Sequence, residues 1–127
     1  MILVGRYLSP FTRRAAIVLK TLNIGFEVKH LTATPENAEL GTINPLARVP
    51  ALILDDGEVL IDGAAIIDYL LEVGDPDNTL LAADGGDRRT VMRLVGVAQG
   101  TIEKTGGVVY EQIKRPGGSH HQPWLDQ

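Results

Sequence analysis

Ser9-Pro10-Phe11-Thr12 joins a short apolar run, Ile2-Leu3-Val4, to a segment in which Ala15, Val18, Leu19 and Leu22 recur at i, i+3, i+4 and i+7. The run reads as a strand, and residues 10–22 read as an amphipathic helix packed on it. Ser is a favoured N-cap, and Pro fits the first helical position, where its missing N–H would go unpaired anyway. A hydroxyl at this turn lies at the positive end of the helix dipole beside unpaired N–H groups, a place that suits an anion. Ser before a helix is also ordinarily no more than a cap. On this stretch alone both readings stand.

The remaining chain extends the pattern. Asn23-Ile24-Gly25 stops the helix, and residues 26–31 alternate as a second strand, which makes a right-handed parallel crossover the expected unit. Thr34-Pro35-Glu36-Asn37 has the Thr cap and Pro of a helix start, predicting a short helix that ends near Gly41. Residues 50–54 and 58–61 flank Asp55-Asp56-Gly57, and Asp-Gly between apolar runs is a strong hairpin signal. From Gly63 a stripe of Ile66, Tyr69, Leu70 and Val73, widened by Ile67 and Leu71, predicts a well-buried helix. At Gly74 the composition changes to a polar, Gly- and Asp-rich linker interrupted only by Leu80-Leu81. Beyond Asp87, the face formed by Val91, Leu94, Val95, Ala98, Ile102, Val109 and Ile113 predicts one long helix in spite of Gly100, Gly106 and Gly107, and Pro116-Gly117-Gly118 ends it.

Composition bounds the function. The 127 residues suffice for one ordinary domain, and 44% hydrophobic with 22% charged residues is a globular mix. A net charge of -4 argues against a nucleic-acid partner, whose phosphates draw on clustered Lys and Arg. Without cysteine there is no disulfide, no thiolate nucleophile and no thiolate metal site, and a thiol-disulfide oxidoreductase is disfavoured. No apolar run is long enough for a membrane helix, so a cytoplasmic location is the expectation. His30, His120 and His121 form no metal-ligand pattern, and a surface or packing role is expected for each.

The order strand-helix-strand-helix-strand-strand-helix, then a linker and a long helix, resembles a cytosolic glutathione S-transferase along the whole chain. Three motifs carry the resemblance: Ser9-Pro10-Phe11-Thr12-Arg13-Arg14, Asn44-Pro45-Leu46-Ala47-Arg48-Val49-Pro50-Ala51-Leu52, and Leu60-Ile61-Asp62-Gly63-Ala64-Ala65-Ile66. The second is the most specific. The resemblance, to a bacterial form with serine at the first motif, implies an α/β fold. Its first part is a thioredoxin-like glutathione-binding domain over residues 1–75, with a mixed four-stranded sheet. A linker over 76–86 and the truncated start of an all-helical domain over 87–127 follow.

The resemblance also implies a site and an activity. Glutathione, as co-substrate, carries two carboxylates and a thiol. Ser9 and the adjoining helix N–H groups would favour its thiolate, and Tyr7 is the alternative, because other classes of the family use a tyrosine at the end of the first strand; otherwise Tyr7 would pack in the sheet. Phe11 would line the glutathione site. Val49-Pro50 resembles the family's cis-proline turn, whose residue 49 N–H and C=O pair with the cysteinyl backbone as an added strand would. Arg48 would hold the glycyl carboxylate or remain a solvated surface residue. Asp62-Gly63 departs from the family's Asp-Ser or Glu-Ser, leaving only the Gly63 N–H for the γ-glutamyl carboxylate, unless Asp62 merely caps the helix. The implied function is a detoxifying transferase that promotes sulfur attack on a small electrophile, as a homodimer without metal, nucleic acid or membrane. The alternative is a glutathione-binding or dimerising interaction module without useful turnover.

Overall fold

Two short strands supply both sides of the core through the period-2 alternation of their side chains. In β1 (Ile2–Val4), Leu3 and Val4 are fully buried on opposite faces of the sheet, and in β3 (Ala51–Ile53) the same holds for Leu52 and Ala51. On one face Leu3 and Leu52 meet Ala15, Ala16 and Leu19 of α1 (Pro10–Thr21) and Ile66 and Leu70 of α3 (Gly63–Gly74). On the other face Val4 and Ala51 meet Leu40 of α2 (Ala38–Ile43), with Ile43, Val49 and Ile61 around them. The sheet is completed by β2 (Glu27–Lys29) and β4 (Val59–Leu60), in the order β2-β1-β3-β4. β1 and β2 are parallel, whereas β1–β3 and β3–β4 are antiparallel. The expected mixed four-stranded sheet, crossover and Asp-Gly hairpin are all present. This computed structural model describes residues 1–33, 37–115, 117, 119 and 121–126.

Several boundaries differ from the sequence reading. The Thr34-Pro35 helix start lies outside the described residues; α2 begins at Ala38, capped by the Asn37 side chain, which accepts the Leu40 N–H at 3.3 Å. In α3 the expected stripe is only partly buried, because Val73, near the C-terminal end, is half exposed.

The polar segment after α3 is more ordered than a linker reading implies. Asp75 is 6% exposed, and its carboxylate accepts the Thr79 N–H and the Leu80 N–H, each at 2.8 Å, together with the Thr79 hydroxyl. This side chain ties the segment into a first compact unit, Met1–Leu81.

A second unit, Ala82–Gln127, contains α4 (Gly85–Lys114) and the short α5 (Gln122–Leu125), a turn of helix that the sequence reading did not anticipate. α4 is one continuous helix, as expected, but fully buries none of its residues. Of its predicted apolar face, Val91, Val95 and Ile102 are half-buried, whereas Leu94 and Ile113 are exposed. Among the described residues no helix is long and apolar enough to cross a membrane.

The Asp75 carboxyl lies below its ordinary pKa, chiefly because the Thr79 hydroxyl donates to the charged form, then because the Leu80 N–H does, against the opposing effect of burial. A carboxyl depressed by folding contributes stability that is present above its unfolded pKa of about 3.9 and lost as the pH falls through the folded value. The melting midpoint of the wild-type chain is therefore expected to fall more steeply below about pH 4 than that of Asp75→Asn. Parallel acid limbs in the two proteins would refute the assignment.

Candidate functional site

Strand direction decides which loops meet. Val4 lies opposite both Lys29 and Ala51, and Leu52 lies opposite Leu60. The segments leaving β1, β2 and β4 and the segment entering β3 therefore emerge at one end of the sheet. That end gathers Tyr7, Ser9 and Phe11 from the segment leaving β1, Arg48, Val49 and Pro50 from the segment entering β3, and Asp62 and Gly63 from the segment leaving β4.

Gly5 permits the close approach. It takes φ +139°, and a Cβ there would stand 2.5 Å from Thr12 Oγ1 and 3.1 Å from Val49 Cβ. No side chain fits, so the end of β1, the first turn of α1 and the residue before Pro50 are held in mutual contact. The Thr12 hydroxyl in this contact is fully buried and has no hydrogen-bond partner among the described residues.

Ser9 is half-buried and extended, at φ -72° and ψ 122°, and its Oγ accepts the Thr12 N–H at 3.4 Å. The hydroxyl is therefore a long, weak cap whose own proton is not used by that bond. Tyr7 does not pack in the sheet. β1 ends at Val4, before Gly5, and Tyr7 is 42% exposed, its ring perpendicular to that of His30 with centroids 6.5 Å apart. Phe11 is half-buried in the first turn of α1.

The segment before β3 is shaped by Asn44, a residue of the second motif to which the sequence reading gave no role. It is 1% exposed; its side-chain N–H donates to the Arg48 carbonyl at 2.8 Å, and its side-chain oxygen accepts the Leu46 N–H at 2.9 Å. Its backbone carbonyl accepts the Ala47 N–H at 2.7 Å, closing a turn in which Ala47 takes φ +48°. An Asn four residues ahead of the Arg of an Arg-Val-Pro turn is the signal that would have found it. The Val49–Pro50 bond is cis, with Pro50 buried and Val49 half-buried. Arg48 is exposed and makes no ion pair among the described residues.

Asp62 caps α3 by accepting the Ala64 N–H at 2.9 Å, and the Ile61–Asp62 bond is also cis. Gly63 takes no left-handed φ, and a Cβ there would meet nothing within 4 Å. Neither backbone nor space requires glycine at this position. Among the described residues no group of three or more His, Asp or Glu could hold a metal ion.

The arrangement offers backbone donors at the starts of α1 and α3, a free hydroxyl proton at Ser9, and an extended edge with a guanidinium beside it. A βαβαββα sheet with these features at one end, followed by a long helix, defines a thioredoxin-like domain joined to a helical segment. The family model described as "Glutathione S-transferase, N-terminal domain" matches residues 3–76, and the chain belongs to the glutathione S-transferase family. It is 32% identical to the GST-like protein YibF of Escherichia coli K12 over 98% of this chain and 61% of that protein. Over 42% of this chain and 26% of the relative, it is 49% identical to maleylacetoacetate isomerase of Pseudomonas aeruginosa. A glutathione transferase family member from Pseudomonas fluorescens Pf-5, solved with bound glutathione, superposes with a TM-score of 0.87 at 31% identity, covering 98% of this chain and 62% of that one. This chain thus spans less than two thirds of the length of each of these relatives.

Asn44→Ala removes both side-chain bonds, leaving the Arg48 carbonyl and the Leu46 N–H without their side-chain partner, at an expected cost of about 1–3 kcal/mol for the two bonds. Urea unfolding checks this, and a loss below about 0.5 kcal/mol would mean that the turn holds without Asn44.

Proposed function

We propose that the Met1–Leu81 unit binds glutathione and that the chain acts as a glutathione S-transferase. In this reading residues 1–75 are the glutathione-binding domain, 76–86 connect it onward, and 87–127 begin a helical domain. The carrying observation is the Ser9 hydroxyl at the start of α1, whose oxygen accepts the Thr12 N–H while its proton remains available. Capping and thiolate contact are then compatible tasks of one hydroxyl. The thiol of glutathione loses its proton to solvent, the Ser9 O–H and the Phe11 N–H at the start of α1 stabilise the resulting thiolate, and sulfur forms a bond to the electrophilic carbon of the acceptor, which expels its leaving group with the bonding pair or, in an addition, passes the displaced π pair to an atom that takes a proton from solvent. Val49 pairs with the cysteinyl backbone, Arg48 holds the glycyl carboxylate, and the Gly63 N–H faces the γ-glutamyl carboxylate. The glutathione-bound Pseudomonas fluorescens relative supports this ligand. The exposed Leu94, Val97 and Ile113 of α4 support a homodimer.

A second reading, a glutathione-binding module without useful turnover, is favoured by one feature: Gly63 lacks the hydroxyl that the family places there. Calorimetric titration with glutathione beside a transfer assay separates the two, and absence of binding would overturn both.

Ser9→Ala is expected to lower kcat by roughly ten-fold to a hundred-fold while glutathione affinity changes much less, because the hydroxyl acts on ionisation and the carboxylate contacts set most of the binding. Unchanged kcat and unchanged pH dependence would leave Ser9 as a cap alone. Gly63→Ser is expected to tighten glutathione binding by about ten-fold through one added bond to a carboxylate. Its stability should match the wild type, since the new side chain enters open space at an ordinary backbone angle. Equal or weaker affinity would place the γ-glutamyl carboxylate elsewhere.

A further inference from the structure

Arg13 has no part in the reading above, yet it holds the loop that carries Ser9. Its guanidinium Nη1 donates to the Tyr7 carbonyl at 2.7 Å and to the Leu8 carbonyl at 3.3 Å. Its backbone N–H donates to the Ser9 carbonyl at 3.0 Å. One residue thus binds three consecutive carbonyls on the way into α1. A further tie on this loop is the Ser9 N–H to the Arg6 carbonyl, at 2.9 Å.

The position is an unfavourable one for a cation. Arg13 is the fourth residue of α1, where a positive charge opposes the helix dipole, and the first turn has no acidic residue to offset it. Arg13 makes no ion pair among the described residues. Its guanidinium is exposed, so its charge is largely screened at any distance beyond its immediate neighbours. What remains specific to it is geometry: a guanidinium that reaches back over the turn and fixes two backbone carbonyls at once.

We propose that Arg13 is a positioning residue that holds residues 7–9 so that the Ser9 O–H is directed at the sulfur of bound glutathione. This rests on the Ser9 reading given above. The bond from Ser9 to sulfur is directional, and a loop displaced by a fraction of an ångström lengthens it. Binding of the peptide through the segments around Val49 and Gly63 is left intact. The effect therefore falls on thiol ionisation and kcat rather than on KM.

Two readouts on the full chain test this, one of them independent of glutathione. In Arg13→Gln, amide hydrogen exchange at Ser9, whose N–H donates to the Arg6 carbonyl, is expected to quicken by about ten-fold or more, with Leu3 and Leu19 unchanged. Thiolate absorbance of bound glutathione, followed against pH, is expected to move in the alkaline direction, lowering the thiolate fraction near neutrality by about three-fold. The KM for glutathione should change less than about two-fold. Arg13→Lys, which keeps a donor but not the planar guanidinium, should fall between wild type and Arg13→Gln in both readouts. Unchanged exchange at Ser9 overturns the tie. Faster exchange with an unmoved thiol titration overturns its link to Ser9. If wild-type protein itself shows no depressed thiol pKa, the Ser9 reading fails, and that result is visible before any variant is compared.

Discussion

The close approach at Gly5 is the constraint on which the rest of the site depends. A Cβ at this position would fall 2.5 Å from Thr12 Oγ1, well inside van der Waals contact, and the backbone angle of +139° is one that side chains avoid. Because Gly5 puts no side chain there, β1, the first turn of α1 and the turn before Pro50 converge at one point. The Thr12 hydroxyl in the contact, without a partner among the described residues, is a cost of roughly 1–3 kcal/mol that a buried valine would not incur. The convergence is retained despite that cost. Asn44 sustains it from the far side by fixing the turn that presents Arg48 and Val49.

Magnitudes show why the proposed chemistry needs both the helix and the hydroxyl. Bringing a thiol from about 8.5 to about 7 takes roughly 2 kcal/mol, at about 1.4 kcal/mol per pKa unit. A helix N-terminus contributes about 0.3–1 kcal/mol at an exposed site, which falls short alone. A hydrogen bond to a charged group adds about 1.5–3 kcal/mol, which closes the gap. At 3.4 Å the contact from the Thr12 N–H to Ser9 Oγ is too long to hold the hydroxyl firmly. Orientation of that hydroxyl must come from the loop, where Arg13 binds the Tyr7 and Leu8 carbonyls.

Much of the fold was legible in the sequence, because period and turn chemistry reported it directly. Ile2-Leu3-Val4 with Ala15 and Leu19 gave the first strand and helix, Asp56-Gly57 gave the hairpin, and the stripe from Val91 to Ile113 gave the long helix. Misreadings arose where tertiary context decides. Asp75 looked like linker polarity but folds its segment by accepting two N–H groups and a hydroxyl. Tyr7 looked like a sheet residue, yet the strand ends earlier, at a glycine whose angle no periodicity reveals. At the site, the motifs named Ser9, Arg48-Val49-Pro50 and Asp62-Gly63, but their convergence follows from strand direction, which spacing does not encode. Asn44 and Arg13 were passed over for a related reason: both act on backbone carbonyls, and a carbonyl leaves no trace in the pattern of side chains.

An amide-resolved NMR titration of the 127-residue chain with glutathione tests the central claim most directly. The account predicts saturable shifts concentrated at Ser9, Phe11, Val49, Gly63 and Ala64, three separate segments responding with one dissociation constant. Shifts scattered over the surface, or confined to one of these segments, would contradict it.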